Sequence, residues 1–191
     1  MSEDGAMSFV SHAGRLLVAT AAIGDPNFER SVVLLLDHDE DGSLGLVLNR
    51  PSELSAAEIL PGWSDLTVDP GVVFAGGPVE QEGIIGLGRR TRRELDGPFQ
   101  VTVGPVGVID LSAEPVEAVG TVEGIRLFAG YASWGPGQLE SELLATAWWI
   151  VDADPTDPLT DDPDDLWAAV LRRQPEPLRR WSFYPVDPSL N

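Results

Sequence analysis

The chain has 191 residues, is 43% hydrophobic and carries a formal net charge of −19, which predicts one domain with a sizeable core and disfavours general affinity for nucleic-acid backbones. It contains no cysteine, which excludes disulfides, thiolate nucleophiles and zinc–thiolate sites. All 12 basic residues are arginine, which excludes Schiff-base lysines and the P-loop lysine.

Residues 1–12 are predicted to form a flexible leader, followed by a single domain over 13–191. The start of the chain is acidic and has no basic region before an apolar core, so no signal peptide is predicted. No apolar run reaches the roughly 18 residues that span a bilayer. The pattern favours a cytoplasmic protein without a membrane segment.

The first strands form a predicted hairpin. A short strand is predicted over residues 15–19, and the wholly apolar run 31–36 predicts a strand covered on both faces. A polar turn over 37–43 then leads into a second buried strand over 44–48. Asn49, Arg50 and Pro51 end this hairpin, because proline cannot donate to a central ladder.

A short helix is predicted after this hairpin, followed by more strands. Ser55 and Glu58 have the spacing of a capping box, and the helix that they begin ends before Pro61. The later apolar runs are strand candidates. These runs are residues 72–75, 84–87, 99–103, 106–111 and 125–129.

The clearest predicted helix runs from residue 138 to residue 151. At about 100° per residue its leucines and later apolar residues share one broad arc, and Glu140 lies on the same arc. Residues 152–165 hold seven Asp and three Pro and predict a polar loop. A last helix is predicted from about residue 162 to residue 173, with Pro163 in its first turn.

Asp37 and His38 favour a catalytic hypothesis, in which a hydrolase acts on an anionic or ester substrate with Ser31 as a third member. Such a triad needs Ser near His and His oriented by a carboxylate, whereas adjacent strand residues point to opposite faces. The alternative is turn polarity with local hydrogen bonds. His12 and His38 are the only histidines, so a metal site with several histidine ligands is not expected. No cofactor is expected either.

Three further motifs allow a structural and a functional interpretation. Residues 130–135 have the wrong spacing for a nucleophile elbow, and Gly76-Gly77-Pro78 is more typical of a turn or close backbone packing than of a phosphate loop. Arg89 to Arg93 could bind a nucleic acid. With the strongly negative net charge, we expect this patch to pair within the chain or with a protein instead.

Several sequence blocks, in the same order, resemble the AlgH/YqgE family of bacterial proteins. The resemblance covers roughly residues 13–173. The blocks are residues 14–19 (GRLLVA), 25–35 (DPNFERSVVLL), 42–51 (GSLGLVLNRP), 76–79 (GGPV) and 130–143 (GYASWGPGQLESEL).

The resemblance implies an α+β fold, in which a bifurcated and mostly antiparallel β-sheet folds into a pseudo-barrel with helices packed around it. It also implies a cytosolic bacterial protein with a proposed role as a transcriptional regulator. The family has no agreed catalytic residues to transfer, and Ser133 stands where its usual Gly-Tyr-Ala-Gly-Trp motif has glycine. The chain shows no helix-turn-helix pattern, so regulation would act through protein contacts.

The sequence therefore predicts a non-enzymatic protein that binds a protein partner or a small ligand. Arginine is suited to bidentate contacts with carboxylates, and asparagine both donates and accepts hydrogen bonds. The alternatives are the hydrolase and a nucleic-acid regulator that uses Arg89 to Arg93. The candidate residues, which line or brace the binding surface, are Arg30, Asp37, His38, Asn49, Arg50 and Glu140.

Overall fold

A computed structural model describes residues 9–91, 99–118 and 120–184. Within these ranges, ten strands form one sheet. The strands are β1 (Arg15–Ala19), β2 (Val32–Asp39), β3 (Gly42–Val47), β4 (Pro51–Ser55), β5 (Val72–Ala75), β6 (Val79–Arg90), β7 (Phe99–Val103), β8 (Val106–Ile109), β9 (Val122–Trp134) and β10 (Trp148–Asp152). The α-helices are α1 (Ala56–Ile59), α2 (Pro115–Ala118), α3 (Gln138–Leu144) and α4 (Leu166–Arg172).

The sheet divides at its longest strand, β9. The main order is β10-β1-β2-β3-β9-β6-β8-β7. Near its end, β9 pairs antiparallel with β3 at residues 132–134, and at residues 127–129 it pairs parallel with β5, which carries β4. The predicted α+β class with a mostly antiparallel sheet is confirmed, and the sheet is open.

Strands β1 and β2 are buried on both faces, as the apolar run over 31–36 predicts. Leu16 and Leu34 belong to one buried cluster, while Leu17 and Val33 belong to a second cluster on the other face. Successive strand residues point to opposite faces, so helix α4 covers one face and helix α3 covers the other. Strand β2 is therefore held between two layers of side chains, and the candidate residues lie near its two ends.

The polar turn predicted over 37–43 is much shorter in the structure. Strand β2 continues through Asp37 and His38 to Asp39, with an irregular register between Leu35 and Asp37. Strand β3 begins at Gly42. His38 is therefore a buried strand residue, because its strand pairs with β3 up to the end of the hairpin.

The helix predicted over 138–151 is wrong in its second half. Helix α3 ends at Leu144, and residues 148–152 form strand β10, which pairs with β1. The chain reverses at Thr146, whose φ of 56° lies in the left-handed region that ends a right-handed helix. The capping box predicted at Ser55 is also wrong, because its side chain makes no cap hydrogen bond.

The acidic segment 152–165 contains buried residues as well as solvated ones. It includes a turn of 3-10 helix over Asp157–Leu159, and all three of these residues are buried. Its end leads into α4, which begins at Leu166. None of the helices in the described part of the chain is long and apolar enough to cross a lipid bilayer.

The two glycines Gly76 and Gly77 lie where two backbones approach closely. A Cβ on Gly77 would stand 2.1 Å from the carbonyl carbon of Tyr131, and one on Gly76 would stand 2.3 Å from the oxygen of Gly130. No side chain fits at such distances. The prediction of close backbone packing at Gly76-Gly77-Pro78 is confirmed.

Candidate functional site

Three of the predicted site residues, Arg30, Asn49 and Arg50, line one cavity of about 480 Å³. The cavity lies beside the ends of β2 and β3 and the start of α4. The other residues that line it were not predicted. They are Pro26, Glu29, Asp164 and Trp167.

Arg30 is held at this cavity in an unusual backbone conformation. Its φ is 52°, which is uncommon for a residue other than glycine, and such residues concentrate at functional sites. Its guanidinium lies over the ring of Trp167, with the Cζ 4.1 Å from the ring centroid, and its Nη1 donates to the carbonyl of Tyr184 at 3.0 Å. Stacking on the ring leaves most of its N–H edge available for a further acceptor.

Asn49 holds the backbone that carries Arg30. Its Oδ1 accepts from the amide of Val32 at 2.9 Å, and its Nδ2 donates to the carbonyl of Arg30 at 2.9 Å. Asn49 is only 6% exposed, so both ends of its amide are used inside the protein. Its role is therefore to position Arg30 and to close the end of strand β2.

In the part of the chain that the structure describes, Arg50 donates only to backbone carbonyls. Its Nη1 bonds the carbonyl of Asn49 at 3.2 Å, and its Nη2 bonds the carbonyl of Glu29. Within the described residues, no carboxylate lies within 4.0 Å of the Arg30 or the Arg50 guanidinium, whereas Arg15, Arg172 and Arg173 each have such a partner. The cavity thus presents two guanidinium groups that have no direct counter-ion among the described residues.

Burial makes the charged state of both arginines less favourable. It lowers the pKa of Arg30 and of Arg50 below the ordinary arginine value, and the more distant Glu29 carboxylate offsets part of this effect. Desolvation disfavours a charged form. An anion in the cavity would restore the interactions that each guanidinium loses with water.

Arg126 shows how the same residue type is used in the protein interior. It is 2% exposed, lies over the ring of Phe74 and donates to the carbonyls of Asp69 and Pro158. Burial lowers its pKa to about 10. Because carbonyls and a ring surround this guanidinium, Arg126 has a structural role, and no motif in the sequence singles it out.

His38 and Glu140 form a pair at the other end of β2, roughly 20 Å from Asn49 by strand length. The His38 Nε2 lies 2.8 Å from the Glu140 Oε1, and its Nδ1 accepts from the backbone amide of His12 at 2.9 Å. Since Nδ1 accepts, the proton is on Nε2, which donates to the carboxylate. The imidazole therefore fixes residues 9–12 and helix α3 to strand β2.

This arrangement does not provide the base that the hydrolase hypothesis needs. A triad histidine donates through Nδ1 and keeps Nε2 free to take a proton, but here both ring nitrogens are engaged and the His38 side chain is 2% exposed. Asp37 lines a separate shallow cavity of about 240 Å³ together with Asp39 and Asp41. Ser31 lies just before β2, more than about 20 Å from His38 by strand length.

The basic patch is only partly described. Arg89 lies 3.9 Å from the Glu123 carboxylate, measured from Nε to Oε1. Arg92 and Arg93 fall outside the described residues.

The pairing of Glu140 predicts a pH effect on stability. Hydrogen bonds from the Glu140 backbone amide and from His38 lower the pKa of Glu140 from 4.5. The ionised carboxylate therefore stabilises the folded state above about pH 4.5. This contribution is lost as the pH falls through the lower pKa of the folded state. In urea unfolding between about pH 5 and pH 3, Glu140→Gln should lose less stability than wild type. The difference should be at most about 1 kcal/mol, because the carboxylate is 44% exposed. The exposed Glu40→Gln should follow wild type, and an identical loss in Glu140→Gln would contradict the pairing.

Comparison with known proteins identifies the family. A model of the AlgH-like family matches residues 16–179. The chain belongs to the AlgH-like family. Among its AlgH-like relatives, a UPF0301 protein of Streptomyces avermitilis is 50% identical over 95% of this chain and 96% of its own, and one of Nocardia farcinica is 44% identical over 95% and 86%.

Two solved structures are similar to this AlgH-like fold. A crystal structure of a protein from Corynebacterium diphtheriae is similar with a TM-score of 0.84 at 32% identity, covering 90% of this chain and 92% of that one. The solution structure of AlgH from Pseudomonas aeruginosa is similar with a TM-score of 0.62 at 29% identity, covering 90% and 93%. Both comparisons agree with the sequence resemblance.

Proposed function

We propose that this protein is non-enzymatic and binds an anionic group, a carboxylate or a phosphate, in the cavity between Arg30 and Arg50. The anion belongs to a small ligand or to an acidic side chain of a partner protein. The observation that carries the proposal is that two guanidinium groups line one cavity and have no carboxylate within 4.0 Å in the described chain.

The chemistry of the cavity suits such a group. Arginine presents five N–H donors in a planar fork that matches carboxylate and phosphate oxygens. Arg30 uses one hydrogen bond and Arg50 two, all to backbone carbonyls, so most of their donors are available. A net charge of −19 repels anions at long range, so anion binding depends on the local donors of Arg30 and Arg50.

The regulatory role and the cytoplasmic location implied by the family resemblance are part of this proposal. A binding protein can regulate when its ligand or partner is the signal that changes its contacts. Because the chain has no helix-turn-helix pattern, regulation would pass through the bound partner rather than through direct reading of DNA.

Arg30→Gln should weaken anion binding by about tenfold or more. A hydrogen bond to a charged group contributes about 1.5–3 kcal/mol, and 1.4 kcal/mol corresponds to tenfold in affinity. The measurement is an NMR titration of the ¹⁵N-labelled full chain with inorganic phosphate and, separately, with acetate. The amide signals of residues 29–31 and 49–50 report on the site.

Arg15→Gln is the matched control, because it removes the same charge at an exposed pair with Asp152. Arg50→Gln is measured as well, together with its melting temperature, since Arg50 also braces the carbonyl of Glu29. Equal binding by wild type and Arg30→Gln, or an equal loss in Arg15→Gln, would rule out the site. Capture of partners from native cytosol by wild type but not by Arg30→Gln would identify a protein as the source of the anion.

A further inference from the structure

The cavity that contains the two arginines also presents two carboxylates. Glu29 and Asp164 line it, and both residues are exposed. Neither carboxylate has an ion-pair partner within 4.0 Å in the part of the chain that the structure describes. Both signs of charge are therefore presented to whatever occupies the cavity.

This mixture of charges discriminates between classes of anion. A dianion such as phosphate is attracted by Arg30 and Arg50 but repelled by Glu29 and Asp164, and the net charge of −19 adds to the repulsion. A ligand that carries a carboxylate and an ammonium group meets complementary charge on both sides. Selectivity of this kind comes from repulsion of the wrong ligand as much as from attraction of the right one.

A second cavity of about 280 Å³ adjoins the first one. Pro26 and Arg50 line both cavities. The second cavity has polar lining residues, Asn27 and Gln81, and apolar ones, among them Phe28, Val47 and Pro78. Burial of an apolar side chain there would add to the charge interactions in the first cavity. A ligand that uses both spaces would therefore have a zwitterionic end and an apolar body.

We propose that the ligand is a free α-amino acid with an apolar side chain, held by its carboxylate at Arg30 and Arg50 and by its ammonium group at Glu29 and Asp164. This inference rests on the proposed anion site and specifies its ligand class. The apolar side chain lies along Phe28 and Val47. No covalent step is involved.

The test compares three probes that share the leucine side chain and differ in the charges of their amino and carboxyl ends, in NMR titrations of the ¹⁵N-labelled full chain. L-leucine carries both charges, N-acetyl-L-leucine only the negative one, and L-leucine amide only the positive one. L-leucine should bind at least fivefold more tightly than either derivative. Asp164→Asn should weaken L-leucine binding towards the affinity of N-acetyl-L-leucine, with Glu29 still facing the ammonium group. The affinity for N-acetyl-L-leucine should stay the same or rise.

Asp41→Asn is the matched control, since it removes an exposed carboxylate outside this cavity and should leave all three affinities unchanged. If N-acetyl-L-leucine binds as tightly as L-leucine, or if L-leucine does not bind, the amino-acid proposal is wrong. In that case, the anion site is still supported if wild type binds acetate or phosphate and Arg30→Gln weakens that binding. If wild type binds neither acetate nor phosphate, both proposals are wrong.

Discussion

Asp157→Ala is expected to lower the free energy of unfolding by about 3 kcal/mol. Removing one partner of a buried ion pair costs about 3–5 kcal/mol. Asp157 is 3% exposed, and its two carboxylate oxygens accept from Arg173 at 2.7 and 2.5 Å. Its Oδ2 also accepts from the amide of Asp154 at 2.7 Å. The substitution leaves that amide and the guanidinium without their acceptor. Because Arg173 is 33% exposed, solvent reaches it and keeps the loss at the lower end of the range.

Asp165→Ala provides the comparison for this effect. Asp165 also accepts from an arginine, Arg172, through both oxygens, but its side chain is 44% exposed. An exposed pair contributes less than about 1 kcal/mol. Urea unfolding of the two variants should therefore differ by at least 2 kcal/mol. Equal losses would show that burial of Asp157 adds nothing to its pair.

The acidic composition of residues 152–165 does not reveal that one of its carboxylates, that of Asp157, is buried and paired with Arg173. A run rich in Asp and Pro predicts a solvated loop, and most of its carboxylates are indeed exposed. Nothing local distinguishes Asp157 from its neighbours, because its partner Arg173 lies on the far side of helix α4 in sequence. Burial of one member of a charge run depends on a long-range contact that the run itself does not encode.

A strand could be predicted from the sequence where a single hydrophobic pattern describes the whole run of residues. The continuous apolar run over 31–36 predicted a doubly covered strand, and β2 is buried on both faces. Residues 138–151 fit a helical arc over their whole length, yet Trp148, Trp149, Ile150 and Val151 are aromatic or β-branched and pair with β1. Such residues favour strands, and the available pairing edge of β1 decided the outcome. Leu144, which the arc placed towards the core, is 87% exposed.

The candidate site was predictable only where polar residues adjoin buried strands. Arg30, Asn49 and Arg50 flank β2 and β3, and antiparallel pairing brings these strand ends together at one cavity. Asp37 and His38 were selected by residue type alone, and the pleat sends them to different environments. Trp167 and Asp164 were missed, because only tertiary packing places the start of α4 beside Arg30.

Glu142→Ala is expected to lower the free energy of unfolding by about 3 kcal/mol through a different mechanism, the loss of one acceptor shared by two buried donors. The Oε2 of Glu142 accepts from the indole nitrogen of Trp134 at 2.9 Å and from that of Trp148 at 2.7 Å. These two side chains are 5% and 3% exposed. Each buried donor left without a partner costs about 1–3 kcal/mol. The two tryptophans lie on β9 and β10, so Glu142 joins helix α3 to both strands.

Glu142→Gln removes the negative charge of residue 142 but keeps an oxygen that can accept hydrogen bonds. Because both indoles bond the same oxygen, the amide oxygen of glutamine can accept from both, and we expect a loss of about 1 kcal/mol. Urea unfolding followed by tryptophan fluorescence measures both variants, and Glu142→Ala should also shift the native emission to longer wavelength as water reaches the rings. Since α3 also carries Glu140, the alanine variant should weaken the protection of the His38 Nε2 proton. Equal stability of the alanine and glutamine variants would mean that the shared carboxylate does not hold the helix to the sheet.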